Sequence, residues 1–181
     1  DSSNFGSSVD NWYATTSPAN TNLFVFNGSS WSTSPVSYPV STSSRTQWGQ
    51  PNNAVSTGGP AGPATKTQIF NGSSWSETGD LSTARQQIAG AGTNTAGLAF
   101  GGSNPPGTIK DSTEEYDGSS WTAGGGLNTE VQFNAGCGTQ TAGLCFGGET
   151  SPGPATTVTA EYDGSSWTNT ANLPVAKKVM G

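Results

Sequence analysis

An all-β array of about four units, each a four-stranded antiparallel sheet and together arranged like the blades of a propeller, is the fold that this sequence predicts. Three observations predict it. Tryptophan recurs at positions 31, 75, 121 and 167; an aromatic, Asn-Gly or Asp-Gly, and two serines precede each one; and no stretch carries the 3.6-residue apolar periodicity of a helix.

The tryptophans are 44, 46 and 46 residues apart. Ahead of them stand Phe26-Asn27-Gly28, Phe70-Asn71-Gly72, Tyr116-Asp117-Gly118 and Tyr162-Asp163-Gly164, so that EYDGSSWT occurs twice, at 115–122 and 161–168. Asn-Gly and Asp-Gly are hairpin-turn pairs in which both central residues take positive φ, and each copy reads as strand, tight turn, strand. An earlier hairpin is visible in IAGAGTNTAGLAFGG (88–102) and NAGCGTQTAGLCFGG (134–148), where alternating stretches flank a Gly-Thr turn and a Gly-Gly pair ends the second strand. In the second copy NNAVSTGG (52–59) takes that place, and the first copy hardly shows it. The repeats fall at about 1–44 (degenerate), 45–88 (partly degenerate), 89–134 and 135–181, forming one repeat domain. A single such sheet cannot hide both its apolar faces, so neighbours must cover them.

GLAFGG followed by Tyr116 and Trp121, and GLCFGG followed by Tyr162 and Trp167, resemble the kelch-repeat β-propellers, with Arg85 near the basic position expected before a unit's first strand. The third and fourth copies match well, the second partly, and the first keeps only Phe26 and Trp31. The Gly-Ser-Thr-rich style is also similar to kelch-like arrays in virion and tail-associated proteins of aquatic bacteriophages. The resemblance implies a ring, and the chain begins and ends at nearly the same phase of the repeat. AKKVMG (176–181) aligns with the first strand of a following unit, where it would pair with the N-terminal copy and seal four blades. Pairing of two chains, or membership of a longer chain, are the alternatives.

Composition narrows the function. Only 10% of the 181 residues are charged, yet there are six Trp, four Tyr and seven Phe, too many aromatics for a solvated linker. The net charge of −6 opposes a phosphate-tracking surface, so nucleic acid and anionic membranes are not expected partners. No apolar run reaches membrane-spanning length, and DSSNFGSSVD lacks the parts of a signal peptide, which implies a removed leader or release by lysis. Histidine is absent, and with it the commonest general base and metal ligand.

No residue is assigned as catalytic, cofactor-binding or metal-ligating, and no cofactor is expected. Trp12, Tyr13, Tyr38 and Trp48 lie outside the repeat framework and are the candidate ligand-contact aromatics, suited to stacking on sugar rings or to filling gaps in degenerate units. Cys137 and Cys145 replace Ala91 and Ala99 together, which makes them a candidate disulfide across two strands; two separate buried thiols are the alternative. Asn27 and Asn71 open formal glycosylation sequons, but Asp117 and Asp163 stand at the same position, and a turn role covers all four. Glu114 and Glu115, with Asp111 nearby, read as solvated edge charge, since the fourth copy has Ala160 and Glu161 there and no EF-hand loop is present. The loops 101–113 and 147–159 differ while their flanks stay alike, which is where recognition is expected.

The first functional expectation is a non-enzymatic structural and recognition module on an extracellular or virion surface, such as a tail, fibre or capsid-associated component. Its partners would be other virion or surface proteins, a host surface glycan, or further copies of itself. A lectin-like propeller is the second. A glycan-cleaving enzyme is the third; it would need facing carboxylates, for which Glu114, Glu130 and Glu161 are the test positions.

Overall fold

The computed structural model describes residues 12–15, 22–26, 31–37, 44–50, 52–60, 62, 64–150 and 153–178. They are all-β, with no helix among the described residues. The first sheet has three antiparallel strands, β1 (Trp12–Thr15), β2 (Asn22–Phe26) and β3 (Trp31–Ser37), in that order. Three four-stranded antiparallel sheets follow. The second sheet comprises β4 (Arg45–Gln50), β5 (Asn53–Gly58), β6 (Thr67–Phe70) and β7 (Trp75–Glu77). In the third, β8 (Ala89–Gly92) and β9 (Gly97–Phe100) pair next to β12 (Thr113–Tyr116) and β13 (Trp121–Ala123). The small hairpin β10 (Ser103–Asn104) and β11 (Thr108–Ile109) interrupts the third sheet's sequence as a separate pair. The fourth runs β14 (Ala135–Thr139), β15 (Ala142–Phe146), β16 (Thr159–Tyr162), β17 (Trp167–Asn169).

The degenerate second copy therefore forms a complete sheet. Its first hairpin pairs Trp48 with Val55 in the register that pairs Ala91 with Leu98, so polar Ser56 and Thr57 stand where Ala99 and Phe100 supply apolar bulk. Backbone pairing tolerates that exchange because sheet propensity is mostly a matter of side-chain surroundings.

Each hairpin phrase keeps one strand register. Phe26 faces Trp31, Phe70 faces Trp75, Tyr116 faces Trp121 and Tyr162 faces Trp167 across their strands. In the last three the ring centroids are 5.1, 4.9 and 5.0 Å apart. The turn differs from the two-residue type that the sequence predicts. Four residues form the loop, and only the glycine has positive φ (91°, 99° and 94° at Gly72, Gly118 and Gly164). The preceding Asn or Asp instead turns its side-chain oxygen back onto the backbone: Asn71 Oδ1 accepts from Ser73 and Ser74 N–H at 2.9 Å each, and Asp117 and Asp163 do the same to their serines.

Those hydrogen bonds favour the ionised carboxylate and hold Asp117 and Asp163 below the usual carboxylate range, Asp163 to about 2, with the backbone N–H of Ser166 the leading cause there. A depressed acid stabilises the fold above its unfolded pKa of about 4, and that contribution disappears as pH falls through the folded value. Unit two already uses the uncharged isostere at Asn71. Asp163→Asn is accordingly expected to leave the β16–β17 turn intact at pH 7 and to remove its acid sensitivity between about pH 4 and 2. Amide exchange of Ser165 and Ser166 measured across that window checks it; unchanged acid sensitivity in the variant contradicts it.

The sheets join through their first strands, β8 lying beside both β4 and β14. Backbone bonds of the same kind tie each joint. Gln87 N–H donates to Ser44 O at 2.9 Å and Phe133 N–H to Gln87 O at 3.1 Å, and these three residues share left-handed φ of 61°, 56° and 54°. The Gly-Gly pair makes the second tie: Gly59, Gly102 and Gly148 N–H donate to the carbonyls of Arg85, Val131 and Lys177 at 2.9, 2.7 and 2.7 Å. Gly102 has φ 86°, and a Cβ there would collide with Ile88. Only glycine meets both demands.

Lys177 thus occupies the place of Arg85 and Val131 in the link before a first strand. Its N–H also reaches Thr156 O at 3.2 Å. Through Lys178 the segment expected to seal the ring is link, not strand, and residues 179–181 lie outside the described residues.

Candidate functional site

Two regions bring chemically active side chains together: the seams between sheets, and the sheet end that carries the varying loops. In an antiparallel meander the second and third strands connect at the end opposite the conserved hairpin turns, so the turns and the variable loops face opposite ways.

The seams are polar as well as aromatic. Trp121 Nε1 donates to Thr67 Oγ1 at 3.0 Å and Gly79 O at 3.1 Å, and one unit on, Trp167 Nε1 donates to Thr113 Oγ1 at 2.8 Å. Each indole thereby satisfies its one donor on the preceding sheet while its ring fills the gap; Trp167 lies 4.8 Å from Phe100 of that sheet. Tyr116 and Tyr162 reach back similarly, to Thr78 Oγ1 and Glu115 Oε1. Burial, followed by the Glu115 carboxylate, pushes the Tyr162 phenol up to about 12. It stays protonated throughout the physiological range and acts as a donor.

Glu114 is not the solvated edge charge that the sequence suggests. It is 2% exposed and pairs at 2.8 Å with Arg85, which is wholly buried. Its other oxygen accepts from Ser82 N–H at 2.8 Å, and Arg85 Nη1 donates to Ser112 O at 2.7 Å and Gly101 O at 3.3 Å. Both charges are committed to structure. Sequence reasoning noted Arg85 but not its partner; the signal was a cation at a link position occupied by valine in the next unit, matched by alanine at the counterpart of Glu114.

Trp48 is also interior, 5% exposed. It lies over the backbone of the next sheet, where a Cβ on Gly90 would come within 2.6 Å of its ring, and its edge stacks on Trp121 at 5.9 Å and 85°. Its Nε1 donates to Thr93 O at 3.0 Å. A sugar has no access to that ring in the folded protein, so Trp48 is a gap-filling core residue. The side chains of Trp12 and Tyr13, on β1, and all of Tyr38 lie outside the described residues, and the structure does not bring them to a site with Trp48.

The candidate disulfide is corrected by register. Cys137 pairs with Leu144, and Cys145 with Gly136, a one-residue offset that sends the two thiols to opposite faces of the sheet. Both are free, Cys137 exposed and Cys145 buried. Burial pushes the Cys145 thiol up to about 12, and Asn134 Nδ2 lies 3.3 Å from its sulfur. It packs as a small apolar group.

At the loop end, β10 and β11 form a hairpin whose turn contains a cis Pro105–Pro106 peptide. In the matching loop of the fourth sheet the bridges Gln132↔Glu149 and Glu149↔Ala155 repeat Gln86↔Ser103 and Ser103↔Ile109. Glu149 there accepts from Gln132 Nε2 at 2.7 Å and pairs with Lys178 at 2.9 Å, which holds its carboxyl below the usual range, Lys178 being the main cause. Glu130 and Glu161 are exposed, and Asp111 lies on the surface. No cluster of three or more His, Cys, Asp or Glu suited to a metal ion occurs among the described residues. Among the described residues no helix is long and apolar enough to cross a membrane.

Comparison with known proteins returned no matching family model and no matching curated protein.

Proposed function

We propose that this chain is a kelch-like β-propeller serving as a non-enzymatic structural and recognition module on an extracellular or virion surface, as a tail, fibre or capsid-associated component would. The observation that carries the reading is a constant frame with interchangeable loops. The indole-to-threonine bonds, the Gly-Gly ties and the left-handed link residues recur from sheet to sheet. The loops between second and third strands meanwhile differ in content, although the same bridges, Ser103 to Ile109 and Glu149 to Ala155, close both. Such a division leaves loops free to vary without disturbing packing.

The glycan-cleaving alternative is weakened by the commitment of Glu114 to Arg85 and Ser82. The lectin alternative loses Trp48 from its aromatic set.

The test uses the full chain on a glycan array and against intact cell surfaces. Exchange of residues 105–108 for Gly-Ser is expected to reduce capture at least about tenfold, the loss of about 1.4 kcal/mol, while the melting temperature is unchanged. Cleavage of an arrayed glycan, or capture indifferent to every loop exchange, would contradict the proposal.

A further inference from the structure

The turn at Asn71 differs from those at Asp117 and Asp163 in a single group, an amide where they carry a carboxylate, and all three are followed by glycine. Among the described residues Asn71 is the only asparagine that precedes glycine. That pair is chemically labile. The backbone nitrogen after an asparagine is a nucleophile within reach of its Cγ, and glycine, having no Cβ, lets it approach.

The folded turn assembles the parts of that reaction. Asn71 Oδ1 accepts from Ser73 and Ser74 N–H at 2.9 Å each and from Ser74 Oγ at 3.4 Å. The bond to Ser73 closes a ring around the Gly72 peptide and so folds the Asn71 side chain back over the nitrogen that attacks. Attack places negative charge on Oδ1, and two N–H groups are already aimed at that atom, as the donors of an oxyanion hole are. Neither Gly72 N–H nor Asn71 Nδ2 donates a hydrogen bond among the described residues. Residues 71–74 are all exposed, so water and hydroxide reach them. Other amides lack this arrangement: Gln68 is fully buried, and Asn94 and Asn128 precede threonine, whose branched side chain hinders the attacking nitrogen.

We infer that Asn71 is a site of spontaneous deamidation in the folded protein, which gives the second sheet the carboxylate turn of the third and fourth. Hydroxide takes the Gly72 N–H proton, the nitrogen bonds Asn71 Cγ, the Cγ–Nδ2 bond breaks, and ammonia leaves with a proton from water. Water then opens the cyclic imide, at Cγ to give aspartate or at the backbone carbonyl to give isoaspartate. Nothing is oxidised or reduced. The fold accepts the aspartate, since Asp117 and Asp163 make the same bonds to their serines, and those bonds favour the ionised carboxylate. The change adds one negative charge at the end of the sheets opposite the variable loops.

The experiment incubates the full chain at mildly alkaline pH, natively and in urea, and follows the tryptic peptide 67–85, bounded by Lys66 and Arg85, by fragmentation mass spectrometry. Conversion of Asn71 to the acid is expected to be about tenfold faster in the native chain than in urea, with Gln68 of the same peptide unchanged. A native rate equal to or below the rate in urea would mean that the turn does not promote the reaction, and it overturns the inference. Asn71→Asp is expected to keep the parent's melting temperature at pH 7. A lowered melting temperature would show that the fold rejects the product, and it overturns the inference as well.

Discussion

Replacing Glu114 by alanine is expected to destabilise the protein by about 3–5 kcal/mol, because it strands the buried Arg85 guanidinium without its counter-charge. The two groups are 0% and 3% exposed at their side chains and meet at 2.8 Å, so water cannot take the place of the carboxylate without opening the seam. Ser82 N–H loses its acceptor at the same time. The next unit indicates how the loss is to be recovered. Its counterparts of Arg85 and Glu114 are Val131 and Ala160, both in the apolar cluster between the third and fourth sheets. The double variant Arg85→Val with Glu114→Ala should therefore be much more stable than Glu114→Ala alone. A double-mutant cycle by urea denaturation measures the coupling. Equal stability of the single and double variants would mean that the pair does not act as a unit.

Trp167→Ala is expected to cost a similar amount, about 3–5 kcal/mol, the usual penalty for emptying a buried aromatic site. The ring is 4% exposed and packs on both Tyr162 of its own sheet and Phe100 of the preceding one. Trp167→Phe separates packing from hydrogen bonding. It keeps most of the ring but leaves Thr113 Oγ1 buried without its donor, for about 1–3 kcal/mol. Combining Trp167→Phe with Thr113→Val removes both partners and should recover part of that loss. Thermal unfolding of the three variants checks the order, and a Trp167→Ala protein as stable as the parent would place the indole outside any seam.

Much of the fold was legible because the anchors of each sheet are local. An aromatic, a turn and a tryptophan within six residues state a hairpin wherever they occur, and the Gly-Gly pair marks the end of a second strand. The second sheet was harder to read because Ser56 and Thr57 stand where the third has Ala99 and Phe100, so apolar alternation is lost although the pairing register is kept. Trp48 was left with two readings, a sugar-stacking ring or a gap filler, for a different reason. The room it needs is created by glycines on the following sheet, Gly90 among them, and no comparison confined to equivalent positions reveals a fit made across the seam. The cysteines failed by one residue of register, since a sequence shows that two positions share a hairpin without showing which face each takes. Glu114 failed because its copy-four counterpart is alanine, while its partner Arg85 lies 29 residues upstream.

The central claim is that the third and fourth sheets each hide their indole in the sheet before. A crystal structure of the full chain tests this most directly. It should place Trp121 Nε1 within hydrogen-bond distance of Thr67 and Trp167 Nε1 within that of Thr113, with β4, β8 and β14 side by side; indoles in unlike surroundings, or sheets that do not touch through these strands, would contradict it.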